Sequence, residues 1–231
     1  YYIEGKNGTT SQQMETELLN IYKYIYNKPA EALSKLLNME KQIDELSSPD
    51  FKGMLESFIL IIYYNSHEYQ KMLKHAYKEL KYANESKSIS RIVNSKFHIG
   101  TAYKNMGMLD SAYINYCYFK KYEQDLDSTL LSFAYHNIAA LLKNIKTADS
   151  NNIITALQNS LKYNTERDDS ARIYMQIADY YYSNNKIEKA DSFLNIFYKC
   201  IKRNDYDSYY NISKTLNNFY EKTGNIDSAN K

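Results

Sequence analysis

Side chains able to do chemistry are thinly spread along this sequence. His67-Glu68 sets an imidazole beside a carboxylate, but a metalloprotease helix needs a second histidine four residues on, and position 71 is Lys. Neither Cys117 nor Cys200 belongs to a CxxC pair, and 83 residues separate them, so both read as free, partly buried thiols. The six glycines are isolated, which excludes the GxxxxGK[ST] and GxGxxG loops that cradle phosphates. Asp168-Asp169 and Glu188 are carboxylates of the kind common on helical surfaces, with no nucleophile placed beside them. The expectation is a protein with no catalytic residues, no metal ligands and no cofactor, which leaves recognition by a surface.

The elements presenting such a surface are helices. Only 2 prolines and 6 glycines punctuate 231 residues, far fewer turn residues than a sheet protein needs, while 44% hydrophobic and 24% charged residues suit a folded chain. Tyr supplies 26 residues and Trp none, so much of the buried apolar surface carries a hydroxyl that must find a partner, which predicts a moderately wet core. The 29 basic and 27 acidic residues are interspersed and leave a net charge of +2, too weak a field to suggest nucleic acid as a partner. The longest apolar run, Phe58 to Tyr64, is too short to span a bilayer. An opening Tyr1 and a close at Lys231 inside an apparent helix read as a piece of a longer protein.

Internal repetition sets the architecture. Gly100, Ala139 and Ala178 are 39 residues apart, each preceded by Ile and followed three positions on by Tyr103, Leu142 or Tyr181. The same step reaches Ile61 in one direction and Asn217 in the other, and Ala112, Ala190 and Ala229 form a second small-residue series. A small residue lets a partner helix approach closely, so each period is a packed helix pair. Ile173, Ile177, Tyr180 and Tyr181 recur at helical spacing. Turns are expected at Asn105-Met-Gly107, Asn184-Asn185 and Thr223-Gly224-Asn225, with Asp110 and Asp227 capping the following helices and Pro29 opening one.

These residues resemble a known repeat. His98-Ile-Gly-Thr-Ala-Tyr103 with Gly107, Ala112 and Tyr116 looks like one tetratricopeptide repeat (TPR), and Tyr174, Ile177, Ala178, Tyr181, Ala190, Leu194 and Phe197 look like another. The resemblance implies an all-α, α-α superhelix, a solenoid of about five and a half pairs forming one domain over 1–231. The approximate units are 12–47, 54–83, 90–124, 129–164, 170–203 and an incomplete 208–231. Departures are the period, longer than the family's 34, and an extra segment, Lys146 to Asn152, in the fourth unit.

In TPR proteins the first helix of each pair lines a concave groove. Carrying that register over places Phe58, Phe97, His136, Met175 and Lys214 in one ladder, Lys104, Lys143 and Tyr182 in a second, and Thr101, Ala140 and Asp179 in a third. The resemblance thus implies a non-catalytic scaffold that binds a protein or peptide. The clamp of Lys, Asn and Arg that some TPR domains close on a terminal carboxylate is incomplete: Asn137 and Arg172 fit, but its leading Lys and Asn fall on Phe97 and Thr101. The alternative is a sensory or regulatory module of a larger bacterial protein, since the chain also looks similar to the TPR segments of Bacteroidetes-type regulators. That resemblance favours the cell envelope over the cytoplasm as its location.

Overall fold

The computed structural model describes residues 11–43, 47–145, 149–164, 167–200 and 217. Among these residues the regular elements are α1 Ser11–Tyr22, α2 Pro29–Gln42, α3 Pro49–Asn65, α4 Tyr69–Glu85, α5 Ile89–Asn105, α6 Leu109–Tyr116, a 3-10 segment Cys117–Asp125, α7 Ser128–Leu142, α8 Ser150–Tyr163, α9 Arg167–Ser183 and α10 Ile187–Cys200. They contain no strand, and the chain is an all-α helical repeat. The first helices of successive pairs open at Ser11, Pro49, Ile89, Ser128 and Arg167, 38 to 40 residues apart, as the small-residue series requires. The expected incomplete repeat, with Lys214, Thr223-Gly224-Asn225, Asp227 and Ala229, lies outside the described residues; Asn217 is helical and exposed.

Helix ends obey local chemistry. Pro29 opens α2, and Ser48, Asp127 and Asp149 cap α3, α7 and α8 by accepting from the backbone N–H of Phe51, Leu130 and Asn151. Asp110 is no cap: Met108 holds that position and Asp110 lies in the first turn of α6, where its charge still suits the helix dipole. The turns within three pairs share one form. Glu68, Met108 and Lys186 donate their N–H to the carbonyls of Tyr63, Tyr103 and Tyr181, each at 2.9 Å, around a residue in the left-handed region. That residue is Gly107 (φ 78°) and Asn185 (φ 56°), as the turn signals predict, and also His67 (φ 58°), which carries no such signal.

The chain divides into two compact units, residues 1–126 and 127–231. In the first, Leu18, Ile21, Leu36, Leu55, Ile59, Met72, Ala76 and Ile99 belong to one continuous core. Each large apolar side chain of that core contributes about 1.5–3 kcal/mol by leaving water. Helix α5 passes α6 at Gly100, where an added Cβ would stand 2.6 Å from the Tyr116 ring. Helix α6 is only eight residues long. Beyond it the backbone tightens into the 3-10 segment, Tyr122 leaves helical geometry (φ −128°, ψ 21°), and Phe119 is carried against Phe97 with ring centroids 6.2 Å apart. In the second unit, Ser132 and Ser160 each donate to the other's backbone carbonyl at 2.9 Å, joining α7 to α8. Ala171, Ala178, Ala190, Leu194 and Phe197 pack α9 on α10. The wet core is present: buried Tyr116 bonds Thr101 at 2.9 Å, and Glu56, His75, Glu79, Ser95, Ser132 and Ser160 are all buried. Cys117 and Cys200 are free, half-buried thiols.

Candidate functional site

Two polar clusters sit side by side in the first unit, built from faces of helices that the sequence pattern marks as packed pairs. The inner one joins α2, α3 and α4. Glu56 is 2% exposed, and its carboxylate receives His75 Nδ1 at 2.5 Å and the Lys78 ammonium at 3.6 Å; Lys78 also bonds Glu40. Burial raises the carboxyl of Glu40, but Lys78 outweighs it and holds the group below its ordinary value. Burial likewise lowers Lys78, and its bond to Glu40 with the charge of Glu56 carries it above the ordinary lysine value. The donor atoms of Glu40, Glu56 and His75 lie within 4.8 Å of one another, close enough for a metal ion. Lys78, bonded to Glu40 and ion-paired with Glu56, already supplies the compensating cation, so the cluster reads as a structural charge network.

The outer cluster opens onto a cavity of about 530 Å³ between α3, α4 and α5. One wall is apolar, from Pro49, Gly53, Met54 and Phe58 of α3 with Ala83 of α4; the other carries Arg91, Asn94 and His98 of α5. The floor is Glu79, whose side chain is 9% exposed. One Glu79 oxygen accepts from the Ser57 hydroxyl and the other lies 2.7 Å from His98 Nδ1. The Ser57 hydroxyl has one proton, shared between Glu79 and the Gly53 carbonyl at 3.0 Å one turn back along its own helix. This carboxylate, with a partner on each oxygen and its side chain 9% exposed, fixes the His98 ring, 32% exposed, with Nε2 left over. Arg91 at the rim pairs with Asp50, Nε to Oδ1 at 3.2 Å and Nη1 to the backbone carbonyl at 3.2 Å.

The residues expected on the groove fare differently. Phe58 lines the cavity, half-buried, with its ring stacked on Tyr22 at 4.9 Å. Phe97 does not present its ring: at 2% exposed it is core, flanked by Tyr116 and Phe119. Thr101 is half-buried and holds the Tyr116 hydroxyl, while burial lowers the ammonium of half-buried Lys104. In the second unit His136 is half-buried and Arg172 exposed. Met175 packs partly buried against the α9–α10 core, and Lys143 and Asp179 pair at 3.2 Å. Tyr182 is the second correction: it is buried, and its hydroxyl donates to Asp191. The cavity residues that the periodic reading missed, Arg91, Asn94 and His98, stand at i, i+3 and i+7 of α5, one polar stripe on a helix.

No family model matches the sequence, and no curated relative does. Solved structures of helical-repeat proteins do match. The apo form of RapI aligns at TM-score 0.70 and 16% identity, over 95% of this chain and 80% of that one. The C-terminal part of a TPR repeat-containing protein from Cytophaga hutchinsonii aligns at TM-score 0.61 and 18% identity, over 94% and 78%. A kinesin light chain-type protein of Podosopora anserina with nearly identical TPR-like repeats aligns at 0.66 and 13% identity, over 82% and 95%. The chain therefore has the TPR-like helical-repeat fold. Among the described residues no helix is long and apolar enough to cross a membrane.

Proposed function

We propose that this chain is a non-catalytic helical-repeat scaffold that binds a segment of another protein in the α3–α4–α5 cleft. The observation that supports this reading is the cleft itself: a cavity of about 530 Å³ with an apolar wall facing a polar one, on helices whose backbones are held by their own packing. Such a site takes an extended peptide, whose side chains alternate between the two walls. In the second unit, His136, Lys143, Arg172, Met175 and Asp179 supply a further contact surface in this proposal. Phe97 and Tyr182 are withdrawn from it as core residues, and Thr101 and Lys104 border it from α5.

The test is blockage without damage to the core. Asn94 is exposed on the cleft wall, so Asn94→Trp fills the cavity from the solvent side. The full chain and this variant are passed over an array of random octapeptides, with helicity and urea midpoint checked in parallel. Peptides retained by the native chain should be lost from a variant of unchanged stability. Equal retention by both places binding elsewhere, and no retention by either refutes the scaffold reading.

A further inference from the structure

Resting on that reading, we infer that the cleft selects an acidic side chain set beside an apolar one. Hydrogen-bonding capacity within the cavity decides the sign of the ligand. Among the described residues lining it the one carboxylate is Glu79, with a partner on each oxygen, Ser57 on one and His98 on the other, and with its side chain only 9% exposed it presents little to a ligand ammonium or amide. What faces the space is mostly donor. Arg91 keeps guanidinium N–H groups beyond the two used by Asp50, and the Asn94 amide is exposed. His98 holds its ring in place by donating Nδ1–H to Glu79, so its Nε2 accepts in the neutral ring and donates only in the imidazolium form; the standing donors are those of Arg91 and Asn94.

Geometry and strength agree with that capacity. Arg91, Asn94 and His98 climb one face of α5 over about 10 Å, two helical turns. That is the reach of one carboxylate and the peptide units beside it. The Arg91–Asp50 pair is exposed on both sides, 44% and 55%, and such a pair is weak enough for Arg91 to turn part of its fork to an incoming carboxylate. Opposite the stripe, Met54, Phe58 and Ala83 offer only apolar surface, which suits a neighbouring apolar side chain. A basic ligand side chain would meet Arg91 and find the Glu79 carboxylate buried and partnered on both oxygens.

The experiment screens the full chain against two pools of blocked pentapeptides, one with Glu fixed at the centre and one with Gln, flanked by mixed Leu, Ile, Val and Phe. Glu peptides should be retained about tenfold more tightly, the factor that 1.4 kcal/mol of charge-assisted bonding supplies. The preference should vanish in an Arg91→Gln, His98→Asn variant, whose new amide keeps a donor towards Glu79 while the imidazole Nε2 is lost. Salt at about 500 mM should reduce it in the native chain. Equal retention of both pools overturns the inference and leaves the peptide-binding reading standing. A preference that survives in the variant assigns the acid to another site and also overturns it. Failure to retain either pool, with 4-methylpentanoate nevertheless shifting the Arg91, Asn94 and His98 amide resonances, assigns the cleft to a small organic acid and overturns the peptide reading too.

Discussion

Adding one methyl group to a glycine of this protein should act with opposite sign at two helical positions. At Gly100 a Cβ would fall 2.6 Å from Tyr116 Cδ1, 2.7 Å from Cε1 and 3.2 Å from the Ala112 carbonyl oxygen. Tyr116 cannot retreat: it is fully buried, its ring touches Phe97, and its hydroxyl is bonded to Thr101. The clash must be relieved by moving α6 off α5, an overpacking cost of about 1–3 kcal/mol, against which better helix propensity returns about 1 kcal/mol. Gly100→Ala should therefore destabilise by up to about 2 kcal/mol, lowering the urea midpoint by up to roughly 1 M for an m-value near 2 kcal/mol/M. At Gly53 the nearest atom to a new Cβ is Tyr82 Cβ at 3.7 Å, ordinary contact, so Gly53→Ala should stabilise by about 0.5–1 kcal/mol. Urea titrations followed by circular dichroism at 222 nm read both changes. Tyr116→Leu should recover part of the Gly100→Ala loss in a double-mutant cycle, since the clash is with that ring. A Gly100→Ala variant as stable as Gly53→Ala would refute the close-approach reasoning that identifies the repeat.

Three further outcomes follow from the same contacts. Glu40 is held below its ordinary value of 4.5, so its contribution to stability is fully present above pH 4.5 and is lost as pH falls through the depressed value; Lys78 is raised above 10.5, so its contribution is present below that pH and lost as pH rises beyond it. The urea midpoint of the native chain should thus drop on both flanks by more than that of a Glu40→Gln, Lys78→Met variant. Glu56→Leu strands buried His75 and should cost about 3–5 kcal/mol, His75→Leu should cost less because Lys78 still faces Glu56, and the double Leu variant should cost clearly less than the sum of the two in thermal and urea unfolding. Lys87, in the turn between α4 and α5, holds a φ of 55° that favours glycine. Lys87→Gly should raise the urea midpoint by the equivalent of about 0.5–1 kcal/mol.

The fold is legible in the sequence because the repeat is a local object. Gly100, Ala112, Ala139, Ala178 and Ala190 mark close approaches of helices in the same or a neighbouring pair, and all five are buried where the 39-residue register puts them. The site is less legible because exposure is not periodic even where the backbone is. Phe58 and Phe97 occupy equivalent positions, yet Phe58 meets Tyr22 and stays open to a cavity, whereas the 3-10 tightening after Tyr116 folds Phe119 over Phe97 and closes it. That tightening has no counterpart in the repeat pattern. Charged residues mislead for a related reason: on a helix, Glu56, Glu79 and His98 look like a solvated face, and only the neighbouring helix reveals a partner. Glu56 with His75 and Glu79 with His98 are each 19 residues apart, the first pair joining α3 to α4 and the second α4 to α5. The two dyads differ in what lies beyond them. Lys78 closes the inner one and makes it structural, while the outer one opens on the cavity, so one motif repeated along the stack yields a strut in one place and the wall of a cavity in the next.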